Sequence, residues 1–111
     1  MRAIAILNIK GQTFSLELKI EGMTSYWAAS FSQTIRDCEY VLAMRFQAIC
    51  CSFWFDANQF FADDKQESLC FSGKIEGEVS RERVKNALES CANYLVKKLG
   101  LDLVRVDVTV K

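Results

Sequence analysis

Residues 80–111 read SRERVKNALESCANYLVKKLGLDLVRVDVTVK, and the change of period inside this stretch decides the fold. Val84, Leu88, Cys91, Leu95 and Leu99 recur at helical spacing, flanked by Ala87 and Ala92. Ser80 stands where a hydroxyl can accept from the first unpaired N–H groups, Gly100 where a left-handed residue ends a helix, and Lys97 and Lys98 in the last turn. The spacing predicts a helix over 81–99. Beyond Gly100 the period drops to two: Val104, Val106, Val108 and Val110 fall on one side, and Leu103, Arg105, Asp107 and Thr109 on the other. A C-terminal strand follows.

The same two-residue period runs through Leu69, Phe71, Gly73, Ile75, Gly77 and Val79, which alternate with Ser68, Cys70, Ser72, Lys74, Glu76 and Glu78. Strand, helix and strand therefore close the chain with a crossover. Near the beginning, Phe14, Leu16, Leu18 and Ile20 alternate with Thr13, Ser15, Glu17, Lys19 and Glu21, a strand with one buried face. The stretch from Ala3 to Ile9 is apolar on both parities except at Asn8, and Lys10-Gly11 offers a turn, so a first hairpin is expected with its first strand central and covered on both faces.

Residues 24–55 carry helix and strand formers in similar measure, and the polar positions are used to decide between them. Glu39, Arg45 and Gln47 point in three directions round a helix but share one face of a strand, opposite Tyr40, Leu42, Met44, Phe46 and Ala48. Trp27, Ala29, Phe31 and Ile35 oppose Ser30, Ser32, Thr34 and Arg36 in the same way. Two long strands joined near Asp37 are expected, with a buried helix as the alternative. The sum is an α+β domain spanning 1–111: a mainly antiparallel, strongly twisted sheet of about six strands, with one long helix over its apolar face. One helix cannot cover six strands, so part of the sheet is expected to stay exposed, offering a surface to a partner or to a second copy.

Fourteen basic and fourteen acidic side chains cancel among 111 residues, half of them apolar, so whole-molecule steering toward nucleic acid or anionic lipid is absent. No segment approaches the length of a membrane span, and Met1 to Ile9 is too short an apolar run for a secretory signal. Cys38, Cys50, Cys51, Cys70 and Cys91 are odd in number and form no Cys-x-x-Cys pair, as expected of reduced thiols packed in a cytoplasmic protein.

Histidine is absent, which removes the usual general base near neutral pH and the commonest metal ligand. The five glycines form neither a phosphate-binding loop nor a dinucleotide fingerprint, and the carboxylates of 56–67 lack the spacing of a calcium loop. A non-enzymatic chain without metal or cofactor is expected. Arg81, Arg83, Lys85, Lys97 and Lys98 make the helix locally basic against Glu82 and Glu89, which leaves an RNA-binding module as a disfavoured alternative. A small-molecule or enzymatic pocket between helix and sheet is another.

The segment from Phe53 to Glu67, FWFDANQFFADDKQE, carries the functional signal. Folding requires apolar rings; it does not require the carboxylates beside them. Trp54, Phe60 and Phe61 are candidate anchors, and Asp56, Asp63, Asp64 and Glu67 form an acidic rim that selects a basic surface. The expected function is a protein-binding module that neutralises a basic protein partner such as a toxin, as an inhibitor or immunity protein does.

Overall fold

The computed structural model describes residues 1–23, 25–56 and 68–111. Five strands and two long helices with one short helix make up the described chain: β1 (Arg2–Lys10), β2 (Thr13–Ile20), α1 (Ser25–Ser30), α2 (Ser32–Gln47), β3 (Cys51–Phe55), β4 (Ser68–Ile75), α3 (Arg81–Leu99) and β5 (Asp102–Val110). The sheet order is β3-β4-β2-β1-β5. β1–β2, β2–β4 and β3–β4 are antiparallel and β1–β5 is parallel, so the α+β class holds and the sheet is mixed. Gly11, at φ 60°, makes the β1–β2 turn.

The alternation in β1 and β2 has a direct structural meaning. Ala3, Ala5, Leu7 and Ile9 of β1 and Phe14, Leu16, Leu18 and Ile20 of β2 are buried on one face, against Val84, Leu88, Leu95 and Leu99 of α3 and Ile35, Leu42 and Phe46 of α2. The opposite face carries no described helix. β1 is therefore an interior strand but is covered on one face, and Ile4 and Ile6 are only half-buried. α3 spans the expected residues: the Ser80 hydroxyl accepts from the Arg83 N–H at 3.2 Å, and Gly100 closes the helix in the left-handed region at φ 68°. The chain from β4 through α3 to β5 is a crossover that passes β2 and β1 to reach the far edge of the sheet.

Residues 25–55 differ from the two-strand expectation for 24–55. Residues 25–30 and 32–47 are helical, and only 51–55 form a strand, which is why the described sheet has five strands rather than six and a second long helix over it. The buried stripe of α2 is Ile35, Cys38, Leu42 and Phe46. Tyr40 and Met44, assigned above to the core side of a strand, face solvent at 71% and 54% exposure. Glu39 is turned to the sheet instead, where its carboxylate accepts the backbone N–H of Phe55. Cys50 joins α2 to β3 at φ 60°, a region unfavourable for a residue with a Cβ, and its carbonyl accepts from Glu76 and Gly77.

β5 also departs from simple alternation. Ala3 pairs with Leu103 but Ile4 pairs with Arg105, so Val104 is an extra residue at a bulge. The bulge places Leu103, beside Ala3, and Val106, beside Ala5, on the same helix-covered face, correcting the assignment of Leu103 to the opposite one. β5 lies at the sheet edge, where α3 covers it only in part, and Val104, Val106, Val108 and Val110 remain 37–49% exposed.

Candidate functional site

The expected site divides at the end of β3. Of its residues, Trp54 and Asp56 are described; Phe60, Phe61, Asp63, Asp64 and Glu67 lie outside the described residues. Around Trp54, strand alternation separates the aromatics cleanly. Phe53 points into the core, stacked on Phe46 at 4.6 Å and on Phe71 at 5.4 Å between ring centroids. Phe55 packs half-buried on Phe71 at 5.1 Å. Trp54, between them, points to the helix-free face and is 45% exposed.

Cross-strand register shows what surrounds it. Trp54 is opposite Ser72, which is opposite Ser15, which is opposite Asn8, so a row of small polar residues runs from the indole across the sheet. In the next row Cys70 is opposite Glu17, which is opposite Ile6, itself beside Asp107 of β5. Asp56 extends this row at the β3 end, because its N–H donates to the Cys70 carbonyl at 2.8 Å. Asp56, Glu17 and Asp107 thus form an acidic band across the helix-free face, with Trp54 one row away. Lys19 and Arg105 flank the band on one side, and beyond the serine row on the other lie Lys10 and Lys74.

The electrostatics of Cys70 report this arrangement. Burial pushes its thiol up, the Ser68 hydroxyl opposes that, and the carboxylates of Glu17 and Asp56 push it up further. The Cys70 Sγ–Glu17 Oε2 separation is 3.9 Å. A thiol held protonated between two carboxylates is a poor nucleophile. Burial also raises Cys38, Cys51 and Cys91, the last to about 12. All five cysteines are free, and Cys50 is exposed.

Glu17 and Asp107 escaped the sequence reading as site residues. Each appeared there only as a polar position of an alternating strand; the register that aligns them with Asp56 depends on strand pairing, which no single segment encodes. Among the described residues, no three of His, Cys, Asp and Glu are grouped so as to hold a metal ion.

Other surfaces are less suited to the alternatives. The space between α3 and the sheet is filled by side chains such as Leu7, Leu16, Leu88 and Leu95, all fully buried. An open cleft of about 670 Å³ lies instead at the end of the sheet, lined by Arg2, Ile4, Lys19, Met23 and Arg105 among others. Three cations of α3 already have partners within the chain: Lys85 lies 3.8 Å from Glu82 and 4.0 Å from Glu89, Arg81 donates to the Lys111 carbonyl at 2.8 Å, and Lys98 lies 5.7 Å over the Tyr94 ring. No described helix is long and apolar enough to cross a membrane. Comparison with protein-family models, curated proteins and solved structures returned no match.

Proposed function

We propose that this chain is a non-catalytic protein-binding module whose contact surface is the helix-free sheet face at its β3 end. The observation that carries the reading is Trp54, 45% exposed at the end of the row Ser72, Ser15 and Asn8, one row from the carboxylates of Asp56 and Glu17. A large ring left partly in water on the edge strand, at the end of a row of small residues, has apolar area to bury against a partner pocket, and aromatic anchors of this kind dominate interface energies. The acidic band selects and steers a basic partner. Asp63, Asp64 and Glu67, in the segment leading away from Asp56, add to the same sign of charge.

In this reading the chain acts in the cytoplasm as an inhibitor, masking the functional surface of a basic protein such as a toxin. The test is capture from a native cytosolic extract on the immobilised chain, with elution by salt and analysis of both protein and nucleic acid. A basic protein recovered at about one to one and released at high salt is expected. Recovery of RNA in its place, released by salt and by Lys97 and Lys98 substitution, would overturn the reading in favour of the basic helix.

A further inference from the structure

The two edges of the sheet are built differently. β3 has five residues, and its Phe55 N–H is occupied by the Glu39 carboxylate of α2. β5 has nine residues and ends the sheet order on the other side. The Lys111 N–H donates to the Ile9 carbonyl, so alternation beyond the bulge turns the backbone of 105, 107 and 109 toward β1 and that of Val106 and Val108 outward. An exposed edge normally carries Pro, a bulge, a lone inward charge or a cover along its length, because outward N–H and C=O groups template pairing with another strand. In β5 the bulge at Val104 lies near the start of the strand, beside Asp102; beyond it run half-exposed valines and one pair of opposite charges, Arg105 and Asp107, with Arg105 Nε 3.1 Å from Asp107 Oδ1.

Those charges are arranged symmetrically about Val106. We propose that two copies of this chain pair antiparallel through β5, about a two-fold axis at Val106, to form one continuous sheet. In that register Val106 is opposite its own copy, with outward backbone groups able to exchange hydrogen bonds, and Val108 is opposite Val104 at the bulge. Arg105 of each copy is opposite Asp107 of the other, in the closer, non-hydrogen-bonded positions on the helix-free face. Neighbouring registers are worse. A two-fold at Asp107 sets Asp107 against itself, one at Arg105 sets Arg105 against itself, and one at Val108 sets Arg105 against Lys111. The charges therefore favour a second copy as the partner and the register centred on Val106, which alone sets both Arg105 residues opposite Asp107. An interface of one strand pair with its flanking side chains is small among specific interfaces, which fits a dimer that dissociates on dilution. This surface is the sheet edge; it shares Asp107 with the acidic band of the helix-free face, but its test reads self-association and does not depend on the partner proposed for the Trp54 face.

Sedimentation velocity over a concentration series tests the pairing. The unaltered chain is expected to pass from monomer to dimer as concentration rises through the micromolar range. Arg105→Asp and Asp107→Arg, each alone, place like charges opposite one another and are expected to weaken the dimer by about tenfold or more, since two facing pairs change sign together. The two side chains are 63% and 48% exposed, so thermal unfolding of each variant should match that of the unaltered chain. A one-to-one mixture of the two variants should restore dimers, because the two carboxylates of one chain would then face the two guanidinium groups of the other; the double charge exchange in one chain should restore them too. A chain that remains monomeric at several hundred micromolar, a dimer indifferent to both single substitutions, or a mixture that fails to associate would each overturn the proposal.

Discussion

The ring of Phe14 occupies the space above Gly73 that a side chain there would fill: a Cβ on Gly73 would overlap Phe14 Cε2 and lie 2.7 Å from the Ser52 carbonyl oxygen. Gly73 is the cross-strand neighbour of both Phe14 and Phe53, and the missing side chain lets the Phe14 ring stack toward Phe46 at 5.2 Å and Phe53 at 6.5 Å. Through this contact α2, β2 and β3 share one aromatic stack, and Trp54 is held on the opposite face of β3.

Gly73→Ala should therefore destabilise the chain by about 1–3 kcal/mol, because ring and backbone must both shift to admit one methyl group. Denaturant unfolding measures it, and a midpoint equal to that of the unaltered chain would show that the stack is loosely packed.

How much of this was legible in the sequence depended on whether each segment's burial was decided locally. β2 sits in the middle of the sheet with one face under helices, so its apolar and polar residues alternate without exception and its reading as a strand held. α3 carries its own start and stop, Ser80 and Gly100, and held likewise. α2 did not. Its buried stripe, Ile35, Cys38, Leu42 and Phe46, is spaced by three, four and four, a helical signal present in the sequence. It was masked because Tyr40 and Met44 are apolar yet exposed, and because Glu39 is polar yet turned to the sheet to meet the Phe55 N–H. Apolar side chains on a solvated surface are common, so parity of type is a weaker guide than spacing of the buried set. The same limit applies to the site: Trp54 was visible as an aromatic among acids, whereas Glu17, far earlier in the chain, joins it only through the β2–β4 register.

The buried thiols make stability depend on alkaline pH. Burial pushes Cys91 from 9.0 up to about 12, with Arg45 pulling weakly the other way. The unfolded chain thus releases this proton near pH 9 while the folded chain keeps it, so the unfolded state binds fewer protons from there upward and stability falls as pH rises from about 9 toward 12. Cys38, Cys51 and Cys70 act in the same direction. Thermal midpoints measured from about pH 8 to about pH 10.5 should decline, and Cys91→Ala should make the decline shallower. An equal slope in the variant would show that the thiol ionises freely in the folded chain.

The acidic segment should contribute to the rate of association rather than to folding. Replacing Asp63 and Asp64 together by Lys should leave the melting temperature nearly unchanged, slow association with a basic partner, and reduce the dependence of that rate on salt. Stopped-flow association at low and high ionic strength gives both quantities. An unchanged rate at low salt would place the steering charge on the Asp56–Glu17 band alone.

The most direct measurement of the central claim is the affinity of the captured partner for the Trp54→Ala chain, by titration calorimetry beside the unaltered chain. Trp54 is on the opposite face of β3 from the stacked rings of Phe53 and Phe71, so its removal should leave the folded core intact and thermal unfolding nearly unchanged. The account predicts a loss of at least about 2 kcal/mol in binding, roughly thirtyfold in affinity, because an anchor ring and its pocket are emptied together. Affinity unchanged within a factor of two, in a variant that melts with the unaltered chain, would contradict it: the helix-free face at Trp54 would then not be where this protein meets its partner.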